Sequence, residues 1–153
     1  MSPGPLRHSN SHRKSCDHHD SPSNPRTGTI VGVTNWREEG LTVFRKMLPG
    51  VLPDGDVDFG GGFAPELMDI GVEGIFGRLW SREGLSLRDR SLVTLGILIA
   101  LRAEDELQAH FKIARQNGLT DDELAEVIYH SSGYAGFPAA NTAKGVAAKV
   151  LKP

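Results

Sequence analysis

Apolar residues recur at helical rather than strand spacing through most of this chain, and the pattern predicts six helices and no strand. Asn35 can cap the first helix, with Glu38 completing a capping box; Trp36, Gly40, Val43, Phe44, Met47 and Leu48 form its stripe. Pro49 and Gly50 end it. The stretch VLPDGDVDFGGG at 51–62 is a loop whose glycines permit positive φ. It lacks the Lys and Ser/Thr of a phosphate loop, so the GGG run reads as a hinge or turn.

A second helix is expected from Ala64, with Pro65 at its first position and Met68, Val72, Ile75, Phe76 and Leu79 along one side. Gly71, Gly74 and Gly77 each cost about 1 kcal/mol against Ala in a helix, so three of them predict a bend or close approach to another element. Ser86 begins the third helix, with Asp89 completing another box. From Leu92 to Leu101 the run LVTLGILIAL is apolar on nearly every face, and such a helix has to be buried all round. A body this small buries only about two-thirds of its surface on folding. Cover by a second subunit resolves the conflict.

The fourth helix is expected from about Glu104 to Asn117, with Gly118 as its stop. Thr120 and Glu123 box the fifth, whose stripe is Leu124, Val127, Ile128 and Ser131. Gly133 to Pro138 breaks the chain, and Pro138 starts a sixth helix dense in small residues: Ala139, Ala140, Ala143, Gly145, Ala147 and Ala148. Short loops make neighbours antiparallel, so the fold class is all-α and bundle-like, over residues 34–153.

Residues 1–27 hold one large aliphatic, Leu6, among Ser, Pro, His and charged residues. Such a stretch buries too little to offset its ordering entropy, and a disordered polar tail is expected up to residue 33. It has neither a signal-peptide core nor a transit-peptide pattern, and no apolar run of about 18 residues occurs, so the expectation is a cytoplasmic protein without a membrane partner. Residues 1–27 carry four basic and two acidic side chains, a net of +2, which leaves 13 basic against 17 acidic, or −4, for the remainder. An acidic body argues against nucleic acid. Cys16, the sole cysteine, lies in the tail; beside His18 and His19 it lacks fixed geometry for a metal site, and the body has no thiol.

On the fourth helix Leu107, His110, Phe111 and Ala114 fall at i, i+3, i+4 and i+7, which turns an imidazole toward the core. Glu106 lies one turn earlier, at the spacing that lets a carboxylate meet an imidazole. This pairing suits proton chemistry. It also suits a core histidine satisfied by its surroundings, with Glu106 an ordinary surface partner. His130, beside Val127 and Tyr134, is a weaker rival in a common helix-ending pattern.

Several motifs add to this reading: W-S-R-x-G-L at 80–85, R-S-L-V-T at 90–94, E-L-x-x-H at 106–110, N-G-L-T-x-x-E at 117–123, E-V-I at 126–128 and Y-A-G-F-P-A-A-N at 134–141. Together with a weaker echo in REEGLTVFRKMLPG (37–50), they resemble the carboxymuconolactone decarboxylase family. The resemblance implies an all-helical fold around a helical hairpin, assembled as a trimer or hexamer, and an enzyme that needs no metal or organic cofactor. The alkylhydroperoxidase-like branch carries C-x-x-C ahead of the histidine; the corresponding residues here are Ala103 and Glu106, which removes the thiol route. Where protocatechuate-pathway decarboxylases resemble A-W-G-D-I-W, this chain has I-F-G-R-L-W at 75–80, with Phe76 and Arg78 changed and Glu73 and Gly74 just before them.

The namesake reaction needs no cofactor because the departing carboxylate leaves its electrons to a conjugated lactone carbonyl. The protein has to supply a dry cavity, a donor to the developing oxyanion, a carboxylate clamp and a general acid. His110 is expected to donate the proton, with Glu106 orienting its ring and raising its pKa provided both are turned inward. Arg90 is the candidate carboxylate clamp or, equally, an exposed first-turn arginine. Asn141 can donate to the oxyanion or simply cap and pack, and Trp80 and Tyr134 are expected to line the pocket or belong to the core. The substrate is then a small carboxylic acid. Alternatives are another cofactor-free proton transfer, such as an isomerase or cyclase in biosynthesis, and a non-catalytic oligomeric scaffold.

Overall fold

Asn35, Ser86 and Thr120 each accept the backbone N–H three residues on, at 3.3, 3.0 and 3.2 Å, and so begin three of the helices in a computed structural model that describes residues 34–151. Only Thr120 has the full reciprocal box, its N–H donating to Glu123 at 2.9 Å. The shorter Asp89 instead accepts the Ser86 hydroxyl at 2.8 Å, and Glu38 takes the Asn35 side-chain amide at 3.5 Å. The expected tail over 1–33, with Cys16, lies outside the described residues.

Six α-helices result: α1 (Trp36–Met47), α2 (Leu67–Gly71), α3 (Leu87–Leu101), α4 (Glu104–Gln116), α5 (Asp121–Tyr134) and α6 (Phe137–Val150). Helix α2 runs directly into a π-helical segment, Val72–Trp80. No strand occurs among the described residues. None of these helices is long and apolar enough to cross a membrane.

The second expected helix starts three residues late. A residue before proline avoids the right-handed helical region, and Ala64 sits at φ +54° with its carbonyl accepting the Leu67 N–H. Its expected face is also shifted. Val72, Gly77 and Trp80 are buried, with Phe76 partly so, while Ile75 and Leu79 are exposed. In π winding, successive turns align i with i+5, which carries the i+3 positions away from the buried side.

Helices α3 to α6 enclose the main core, built on Leu95, Ile99, Leu107, Phe111, Leu124 and the alanines of α6. Ala139, Ala140, Ala143 and Ala147 are buried there with Val146, whereas Gly145 and Ala148 face out. A smaller core of Met47, Trp80 and Ile113 joins α1 and the π-segment to α4. Helix α3 is not enclosed within the chain. Its inner row, Ser91, Leu95 and Ile99, is buried, but Val93, Ile97 and Leu101 are each more than half exposed.

The loop after α1 is strapped down. Arg37 reaches Asp56 and Asp69, both at 2.6 Å, and the Val57 carbonyl, while Arg45 holds the carbonyls of Pro53 and Gly55. The Arg37 guanidinium keeps the Asp56 carboxyl below the usual carboxylate range. Gly60 and Gly62 of the GGG run take positive φ, as a turn requires.

Candidate active site

Helix α4 serves both cores: Leu107, Phe111 and Ala114 face the larger one and Ile113 the smaller. His110 lies between them, half-buried, with its imidazole over the buried indole of Trp80. The ring centroids are 6.2 Å apart and the planes differ by 27°, an offset stack. Nδ1 of His110 is buried and has no hydrogen-bond partner.

Glu106 does not turn inward with it. Leu107 takes the inward position on that turn, and Glu106 joins Glu104 and Asp105 in an exposed acidic first turn that complements the helix N-terminus. Its charge favours the imidazolium, but burial acts more strongly, and the His110 pKa falls below its ordinary 6.5. Glu106 thus raises the pKa as expected, but the condition that both side chains turn inward is not met, and desolvation of the ring outweighs a carboxylate in solvent.

Arg90 is neither fully exposed nor free. Its guanidinium donates to the Arg82 carbonyl at 2.7 Å, two residues beyond Trp80, and its Nε is buried without a partner. Leu87, one turn earlier on α3, packs on the Trp80 cluster. Trp80 thus stacks on His110, and the turn just after that indole holds Arg90.

Asn141 and Tyr134 do not join them as pocket walls. Asn141 is exposed near the start of α6, turned away from Ala139, Ala140 and Ala143. Tyr134 is 85% exposed and leans on His130, ring centroids 4.9 Å apart. That pair borders a groove between α3 and α5 of about 470 Å³, continued by about 240 Å³ past Gly96 and Ala100. His110 does not line it. Chemistry, rather than cleft volume, marks the His110 corner.

Sequence reasoning missed two contributors. The Arg82 carbonyl anchors Arg90 through the backbone, which no side-chain motif reveals. Asn117 donates to Ser91 at 3.0 Å and to the Leu87 carbonyl at 3.4 Å, and so ties the end of α4 to the start of α3; its place in N-G-L-T was the available signal.

Comparison with known proteins identifies the family. A profile described as the carboxymuconolactone decarboxylase family matches residues 65–149. A 4-carboxymuconolactone decarboxylase of Acinetobacter baylyi is 51% identical over 77 residues, 50% of this chain and 58% of that protein. A nitrosuccinic acid decarboxylase of Metarhizium robertsii is 31% identical over 114 residues, 74% of this chain and 80% of that protein. An uncharacterised protein of Paracoccus denitrificans is 35% identical over 77 residues, again with 58% of its length covered. The chain thus spans little more than half of the Acinetobacter and Paracoccus relatives.

Proposed function

The chain belongs to the carboxymuconolactone decarboxylase family, and we propose that it is a cofactor-free carboxy-lyase acting on a small unsaturated lactone acid such as 4-carboxymuconolactone, or on a related vinylogous or β-keto acid. The observation that carries this reading is the His110 imidazole stacked on Trp80 with its buried Nδ1 unpartnered within the chain, together with Arg90, held at the turn after that indole with its Nε likewise buried and unpartnered. Folded proteins pair nearly all such groups, and leaving one unpaired costs roughly 1–3 kcal/mol. A bound anion offsets that cost.

In this reading the Arg90 guanidinium clamps a substrate carboxylate, which its planar fork suits. The bond from the substrate carbon to the other carboxylate breaks, CO2 leaves, and the electron pair moves to the conjugated carbonyl as a dienolate. That charge collapses back to carbon, which takes a proton from His110; solvent then restores it. Burial disfavours the charged form of His110, whereas the carboxylates of a bound substrate favour the imidazolium. The proton therefore arrives with the substrate. Glu106 adds charge without contact.

We also assign Asn141 as oxyanion donor and Tyr134, with Trp80, to substrate binding. Asn141 and Tyr134 are exposed in the single chain, which fits a site closed by a neighbouring subunit. The bare α3 row of Val93, Ile97 and Leu101 supports the same assembly, a trimer or hexamer.

A second reading keeps the reaction and changes the substrate. The Metarhizium relative matches over a longer stretch than residues 65–149, and its name gives nitrosuccinic acid as substrate. A nitro group beside the departing carboxylate is an electron sink of the same kind as a conjugated carbonyl. The test is incubation in heavy water with 4-carboxymuconolactone and, separately, nitrosuccinic acid. The first reading expects CO2 and one carbon-bound deuterium from the lactone acid. Release from nitrosuccinic acid alone selects the second, and release from neither contradicts both.

A further inference from the structure

The π-helical segment Val72–Trp80 spans nine residues, whereas π winding is usually confined to single turns and is frequent at functional sites. Here the winding is matched to α1. A Cβ placed on Gly40 would lie 2.1 Å from the Val72 carbonyl oxygen, and one placed on Gly77 would lie 2.1 Å from the Trp36 carbonyl oxygen. Trp36 and Gly40 are one α-turn apart; Val72 and Gly77 are one π-turn apart. One turn of each backbone therefore rests directly on one turn of the other, with glycine at both contacts.

With α winding, the residue one turn after Val72 would be Phe76. Its ring could not enter a gap that rejects a methyl group. In the π register Gly77 takes the contact, and Phe76 packs edge-on against Phe44 with centroids 4.9 Å apart. Trp80 then follows in the next turn, buried between Met47 and Ile113 and set against the imidazole of His110. By contrast, a Cβ on Gly71 or Gly74 would meet nothing within 4 Å. The three glycines are thus unequal, and only Gly77 is required by packing.

We propose that Gly40 and Gly77 are positioning residues for His110: their reciprocal backbone contact with Val72 and Trp36 sets the winding that brings Trp80 against the imidazole. The proposal rests on the reading of His110 as the proton donor. The charged group that acts on the ring is Glu106 on α4. It is not among the nearest atoms that a Cβ at Gly40 or Gly77 would meet. A substitution at Gly77 therefore reaches His110 through Trp80 and the burial it provides.

The experiment compares Gly77→Ala with Gly74→Ala in the full chain, reading the His110 imidazole titration by NMR together with kcat and KM. Gly74→Ala should leave all three as in the parent. Gly77→Ala should keep its helical circular dichroism while the His110 titration moves up toward the ordinary 6.5, and kcat falls roughly ten- to a hundredfold. If Gly77→Ala does not fold, Trp80→Phe reads the same link, with an upward titration shift expected from the smaller ring. An unmoved His110 titration in the folded Gly77→Ala chain, or in Trp80→Phe if that variant has to stand in, overturns the proposal. A moved titration with unchanged turnover leaves the positioning intact and instead contradicts the catalytic role of His110. Loss of turnover in His110→Gln with an unmoved titration in Gly77→Ala does the reverse.

Discussion

Glu106 acts on His110 through charge alone: its carboxylate is exposed on the first turn of α4, while Nδ1 of the ring one turn later is buried and unpartnered. The two effects on the imidazole oppose each other, and burial prevails. Removing the carboxylate leaves burial unopposed.

Glu106→Gln should therefore lower the His110 pKa further. The proposed reaction uses the imidazolium, so the alkaline limb of the kcat profile should move to lower pH, with a smaller loss of turnover than any change to His110 itself. An alkaline shift would show that the carboxylate does something other than favour the charged ring.

The same depressed pKa couples folding to pH. Below the ordinary value of 6.5, the unfolded chain binds a proton at His110 that the native chain does not, so stability falls as pH drops through that window. Urea unfolding between pH 5 and pH 7 should show this dependence (about two pH units are enough to span it), and His110→Gln should flatten it. A slope that persists unchanged in the variant would assign the effect to other groups.

The outer row of α3 should be a subunit contact. Ile97→Asp places a charge in the middle of the exposed Val93–Ile97–Leu101 row, at little cost to a single folded chain. Light scattering should find a trimer or hexamer for the parent and smaller species for the variant. A parent that is a stable monomer at micromolar concentration removes the argument for assembly.

Thr120→Ala tests the one complete capping box. Loss of the cap should cost about 1 kcal/mol of stability and leave turnover per folded molecule unchanged, since none of the Thr120 hydrogen bonds involves Trp80, His110 or Arg90. Chemical denaturation with an activity assay reads both.

Much of the fold was legible because its signals are local. Ser86 and Thr120 mark their helices by side-chain capping, and the spacing of Leu107, Phe111 and Ala114 alone gives the inner face of α4 and the placement of His110 between cores. The second helix was misread where the backbone departs from α geometry. Pro65 suggested a helix start at Ala64, but the residue before it sits at positive φ, and π winding turned Ile75 and Leu79 outward. Periodicity assumes a winding, so it cannot report a change in it. The spacing of Glu106 and His110 left two outcomes open for a related reason: i, i+4 fixes neighbourhood on a helix, not which of two neighbours faces the core, and Glu106 faces solvent. Arg90, Asn141 and Tyr134 were named from motifs, and of these only Arg90 reaches the turn that follows Trp80.

The central claim is that His110 gives its proton to the substrate carbon, and turnover per folded molecule of His110→Gln tests it most directly. Glutamine keeps comparable bulk and hydrogen-bonding capacity, so the variant should fold, and its kcat on the accepted substrate should fall by roughly 10²–10⁴-fold. A folded His110→Gln chain that turns over at nearly the parent rate would contradict the account and leave His110 a core residue.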